Sequence, residues 1–136
     1  MTRVRELGVL LPGTPGPANA ITDVPGVEVG YTTLVEGDDV RTGVTAVLPR
    51  GRAGFATPCA AATHSLNGNG EMTGTAWLAE SGSLTLPVLI TNTHAVGPCH
   101  RGAVDWVVRE HPDAAGEWLL PVVAETWDGR LNDINA

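Results

Sequence analysis

Apolar and polar residues alternate along two stretches early in the chain. Val27, Val29, Tyr31 and Thr33 fall on one side of the run 27–35, and Val44, Ala46 and Leu48 fall on one side of 41–48. A period of two predicts strands. The polar Glu36–Asp39 stretch between them makes an antiparallel hairpin the natural reading. Just ahead, Asp23-Val24-Pro25-Gly26 has the Pro-Gly order of a type II turn. Leu86–Thr93 reads as a buried strand, because it is short and apolar. Val104, Val107 and Val108 recur at i, i+3 and i+4, with Trp106 beside them. That spacing predicts a helix over Gly102–Glu110, ended by Pro112. Leu119–Ala124 reads as a last strand, interrupted at its start by Pro121. It runs directly into Glu125-Thr126-Trp127-Asp128-Gly129-Arg130-Leu131-Asn132-Asp133.

The segments between are less regular. Residues 1–20 form an arm, because the prolines and glycines of Pro12–Pro17 forbid helix. Gly54–Ser65 is small and apolar and reads as a loop followed by a strand. Leu66-Asn67-Gly68-Asn69-Gly70-Glu71-Met72-Thr73-Gly74 combines residues that tolerate positive φ, so it predicts tight, irregular backbone. Thr75–Ser81 predicts one or two helical turns, with Gly82 as the residue that ends them. The order hairpin, strand, strand, helix, strand mixes antiparallel pairing with a crossover helix and predicts α/β layers. A length of 136 residues fits one domain or part of one. The organisation is then an extended arm, 1–20, and a layered core segment, 21–136. Ile134-Asn135-Ala136 stops just after a strand and a polar turn, which reads as a cut rather than a finished end.

Charge and composition narrow the function classes. The net charge is -7 and all eight basic residues are arginine. Phosphate binding needs clustered Lys or Arg, so a nucleic-acid partner is not expected. With no lysine, neither a P-loop lysine nor a Schiff-base lysine is present. Cys59 and Cys99 fit no CxxC pattern and read as thiols rather than a disulfide. The apolar run Leu7–Leu11 is shorter than the ~7–15 residues of a secretory core, and no run approaches a membrane span. A cytoplasmic protein without a membrane partner or a cofactor is the expectation.

Few patterns carry chemistry by spacing alone. Glu125, at the end of a buried run, would be a carboxylate on a rigid support; from spacing alone, a solvated carboxylate at a strand-to-loop boundary is the favoured reading. Gly68–Gly74 misses GxGxxG because its third glycine falls one place late. There is no GxSxG. His64, His94, His100 and His111 form neither HxxxH nor HExxH. A metal-dependent hydrolase using His94 or His100 remains the weakest alternative. Trp77, Trp106, Trp118 and Trp127 are most simply packing residues.

Longer blocks say more. Pro12–Gly16 with Asn19–Gly30, Arg41–Gly51, Ser65–Gly74, Ile90–His94, and Leu120–Thr126 with Leu131–Asn135 follow one another in register. In this order they closely resemble the N-terminal part of the DmpA-type peptidases of family S58, the L-aminopeptidase/D-esterases and β-peptidyl aminopeptidases. The resemblance implies part of a layered α/β/β/α sandwich with a mixed sheet, DmpA/ArgJ-like with Ntn-hydrolase-like layering. It also implies a precursor that cleaves itself before a serine, which then serves as nucleophile at the start of a second chain. That C-terminal chain is the implied partner, and tetramers are common in the family. The nucleophile is not in this chain, so the chain alone is expected to be inactive. Substrates would be small peptides, amides or esters with a free amino group. Glu125 matches the glutamate that binds that amino group. Trp127 stands where the family usually has a tyrosine of the oxyanion hole; an indole N–H also donates, but is bulkier and cannot accept, so either Trp127 donates by another geometry or the pocket is changed. Gly54–Thr63 departs from the family pattern. A truncated, non-catalytic relative acting as a binding or assembly module is the alternative.

Overall fold

The computed structural model describes residues 2–55, 57–116 and 118–135. Met1 of the arm, Ala56 of the Gly54–Ser65 stretch and the ending at Ala136 lie outside the described residues. Strands are β1 (Glu28–Glu36), β2 (Val40–Leu48), β3 (Cys59–Ala60), β4 (Ser83–Leu84), β5 (Val88–Asn92) and β6 (Val122–Thr126). Helices are α1 (Thr75–Ser81) and α2 (Val96–Glu110), with short 3-10 turns at Val4–Leu7, Ile21–Asp23, Thr93–Ala95 and Pro112–Ala114.

Four strands form a mixed sheet in the order β1-β2-β5-β6. The expected hairpin pairs β1 with β2 antiparallel, from Glu28↔Leu48 to Glu36↔Val40. β2 pairs antiparallel with β5, and β5 pairs parallel with β6 after the crossover through α2. β3 and β4 form a separate two-stranded ladder. The type II turn leading into β1 is present: Val27 N–H donates to Val24 O at 3.1 Å and Gly26 has φ 86°. Gly82 ends α1 as expected, with φ 62° and its N–H on Leu78 O at 2.9 Å.

Local pattern and structure differ in four places. α2 begins at Val96, six residues before the expected Gly102. Gly97 and Pro98 conceal the start, yet a proline in the first turn gives up only an N–H that has no partner within the helix. The longer helix turns a different stripe inward: Val96, Ala103 and Val107 are buried, while Val108 is 53% exposed. β6 runs from Val122 to Thr126, so Glu125 lies inside the strand rather than beyond it. The strand expected within Gly54–Ser65 shrinks to the two residues of β3. In the Asn/Gly stretch 66–74, only Gly74 takes a positive φ.

The core sits where α2 covers β5 and β6. Val107, Val122 and Val123 are at most 1% exposed, and each such side chain contributes about 1.5–3 kcal/mol of burial. Phe55 extends this core, edge-on to Trp106 at 5.1 Å and stacked on His111 at 4.4 Å. The other edge of the sheet is open. Every residue of β1 is exposed. An apolar groove of about 510 Å³ lies between Pro98, Gly102 and Trp106 of α2 and Val44, Ala46 and Leu48 of β2. Both cysteines are free, and the Cys59 thiol contacts Leu84 O at 3.5 Å. Among the described residues no helix is long and apolar enough to cross a membrane.

Candidate functional site

Glu125 is the fourth residue of β6 and lies opposite Thr91 of β5. The other side of β6 is lined by the Asn/Gly stretch, which runs back along it. Met72 bridges antiparallel to Ala124, Thr73 N–H donates to Val123 O at 3.0 Å, and Glu125 N–H donates to Glu71 O at 3.0 Å. The Thr73 hydroxyl donates to Pro121 O at 2.7 Å and accepts from Val123 N–H at 2.9 Å. This uses the donor and one acceptor position of a hydroxyl. A proline at 121 brings no N–H, so the chain here is held through its carbonyl.

This zipper explains Gly70 by space alone, and Gly74 by space together with its positive φ of 73°. A Cβ on Gly70 would lie 3.3 Å from Glu125 Oε1, and one on Gly74 would lie 3.2 Å from the carbonyl oxygens of Leu120 and Pro121. Both glycines let one backbone approach β6 closely. Beside them an open cleft of about 480 Å³ is bounded by His64, Asn67, Asn69 and Gly70 on one side and Ala124 and Glu125 on the other. Glu125 is half-buried there. Among the described residues no hydrogen bond or ion pair reaches its carboxylate, and no buried side-chain polar atom lacks a partner. The carboxylate thus lines the open cleft without a protein partner among the described residues. The apolar groove beside α2 shares no lining residue with this cleft.

Trp127 follows two residues later and is 78% exposed. Glu125 and Trp127 are thus brought close along the chain, one in the cleft wall and one on the open surface. The histidines are not gathered. His94 Nδ1 meets Asn135 Oδ1 at 2.9 Å, His64 lines the cleft, and His111 stacks on Phe55. Among the described residues no group of three or more His, Cys, Asp or Glu side chains is placed to hold a metal.

A polar cluster beyond Trp127 has no counterpart in the sequence pattern. Thr42 Oγ1 donates to Asp128 Oδ2 at 2.7 Å, and Asn92 Nδ2 donates to Thr42 Oγ1 at 2.9 Å. Asn132 Nδ2 reaches the same Asp128 oxygen at 3.2 Å, and its Oδ1 accepts from Arg41 N–H at 3.0 Å. Asn92 and Asn132 are 7% and 9% exposed, so their full pairing is required. These residues lie in three separate parts of the chain, and no local periodicity joins them.

Comparison with known proteins bears on the family and the fold. The profile of peptidase family S58 matches residues 19–136. The chain is 52% identical to the β-peptidyl aminopeptidase BapA of Sphingosinicella microcystinivorans, over 98% of this chain and 35% of that protein. It superposes on the L-aminopeptidase D-Ala-esterase/amidase of Ochrobactrum anthropi with a TM-score of 0.89 at 46% identity, covering 98% of this chain and 40% of that one. That protein is described as a prototype for the serine aminopeptidases and a new variant among the Ntn hydrolase fold. A Burkholderia sp. β-aminopeptidase superposes with a TM-score of 0.86 at 50% identity, covering 98% of this chain and 38% of that one. The fold described above is therefore part of an Ntn-hydrolase-like α/β architecture. The chain spans about a third of the length of the curated relative, 35%.

Proposed function

The chain belongs to peptidase family S58, and from that membership we propose that it is the N-terminal segment of a self-processing serine aminopeptidase. Its share of the work is to receive the free amino group of a peptide, amide or ester. The observation that carries this reading is the Glu125 carboxylate, fixed in a strand, facing a cleft and without a partner among the described residues. A carboxylate in that state attracts an ammonium and disfavours an acylated terminus, which makes an exopeptidase of the complete enzyme.

The nucleophile comes from a second segment that begins with serine. A free α-amine titrates at about 7.7–8.0, so near neutral pH it can take the proton of its own hydroxyl as the oxygen attacks the carbonyl. Trp127 contributes an N–H donor toward the oxygen that becomes negative. Without that second segment the chain does not turn over substrate. The bare β1 edge and the groove beside α2 are the surfaces that the rest of the layered core would cover. The complete enzyme is a homo-oligomer, a tetramer, in the cytoplasm, and it requires no cofactor.

Denaturing intact mass on protein expressed from the complete gene tests this. Two co-purifying polypeptides are expected, the second starting at serine, with hydrolysis of amino-acid amides and p-nitroanilides. A single unprocessed species without activity on free-amine substrates would overturn the proposal in favour of a non-catalytic binding module.

A further inference from the structure

Trp127 is held by its neighbours rather than by its own side chain. Its indole is 78% exposed. On one side, Thr126 ends β6 with its hydroxyl on Thr91 O at 3.2 Å. On the other, Asp128 is the acceptor at the centre of the polar cluster. The direction of each bond in that cluster is fixed. Asn92 Oδ1 accepts from Ala95 N–H at 2.9 Å, so its amide nitrogen is the end that faces Thr42. Thr42 accepts that bond, so its single proton goes to Asp128. Asn132 Oδ1 accepts from Arg41 N–H, so its nitrogen also faces Asp128. Asp133 N–H adds a bond to Asp39 O at 2.7 Å. The loop after β6 is thereby tied to the first residues of β2 and the last residue of β5.

We infer that Asp128, held by Thr42 and Asn132, is the positioning residue that aims Trp127 into the reaction site. The inference rests on the oxyanion role proposed above for Trp127. Pinned residues on both sides fix where the Trp127 Cα–Cβ bond starts, and from there the indole has only a few staggered rotamers to choose among. A shift of about 1 Å in a positioned group can cost about a hundredfold in rate. The carboxylate's charge is secondary: Thr42 and Asn132 bind the same oxygen, Oδ2, and a side-chain amide oxygen offers the same two acceptor positions.

The test uses the complete, processed enzyme with rates normalised to titrated nucleophile, so that lost yield is not read as lost activity. Thr42→Val and Asp128→Ala each remove the central bond by a different route. Both are expected to lower kcat by about 10–100-fold while KM stays within about twofold, because Glu125 in the cleft is not part of this cluster. Thr42→Ser and Asp128→Asn restore kcat. In a Trp127→Phe background, itself expected to lower kcat by about 100-fold, Thr42→Val adds nothing further. If Trp127→Phe lowers kcat but both breaking variants leave it unchanged, or if Thr42→Val keeps its full effect in the Trp127→Phe background, positioning of Trp127 is overturned. If Trp127→Phe itself leaves kcat unchanged, the oxyanion role beneath the inference fails instead. Should Thr42→Val not accumulate as processed enzyme, Asp128→Ala against Asp128→Asn gives the same decision.

Discussion

Replacing Glu125 by Gln keeps the shape of the side chain and removes its charge. The open cleft of about 480 Å³ that Glu125 lines has room for an ammonium, and a charge-assisted N–H to carboxylate contact brings N and O to about 2.7–2.9 Å, so a charge separation of roughly 3–4 Å is available. Two unit charges at about 4 Å interact by about 4 kcal/mol at an effective dielectric near 20. Truncating one partner of a charge pair costs about 2–5 kcal/mol when the pair is buried. Glu125 is only half-buried, so the lower part of that range applies, about 2–4 kcal/mol. At about 1.4 kcal/mol per decade this is a loss of roughly 30–1000-fold in kcat/KM. The assay compares an amino-acid p-nitroanilide with its des-amino analogue, in the complete enzyme before and after Glu125→Gln, after mass spectrometry has verified processing. The variant should lose activity only on the free-amine substrate, so that the preference over the analogue collapses. Retention of wild-type kcat/KM on the free amine, within about threefold, would refute the ammonium receptor.

Gly70→Ala should raise KM for free-amine substrates several-fold by crowding Glu125 Oε1, whereas Gly68→Ala, with nothing within 4 Å of its new Cβ, should leave KM unchanged; steady-state kinetics on the two variants checks this. Val123→Ala removes two methyl groups from a residue that is 0% exposed and should destabilise the folded enzyme by about 2–3 kcal/mol, read from denaturant midpoints. Asp23 accepts backbone N–H groups from Ala20 at 3.0 Å and Ala18 at 2.8 Å, and these bonds, Ala20's first, hold its carboxyl below the usual carboxylate range. Because the folded value is depressed, the tie between arm and core is fully present above the unfolded value near 3.9 and is lost as pH falls through the folded one. Amide exchange at Ala18 and Ala20 should speed up in that acid window, and Asp23→Asn should abolish the pH dependence.

Much of this protein was legible in local pattern, because local pattern reports local geometry. Alternation over 27–35 and 41–48 became the β1–β2 hairpin, Pro25-Gly26 became a type II turn, and Gly82 ended α1 with positive φ. The long blocks in register identified the family and singled out Glu125 and Trp127. Where α2 begins was hidden, since Gly97 and Pro98 oppose helix in its interior but are harmless in its first turn. Val108 was misassigned separately, because the inward stripe depends on what the helix covers and not on its own period. The role of Gly70 was misread for a related reason. Its composition suggested unusual φ, whereas its requirement is space beside a carboxylate 55 positions away. Thr42, Asn92, Asp128 and Asn132 were invisible as a group. Their hydrogen bonds span up to 91 positions, and a polar residue in a loop shows nothing of its partner until the chain has folded. Sequence determined which segments become strands, turns and helices; only the tertiary structure decided which distant side chains meet, because pairing follows from where the sheet places the chain.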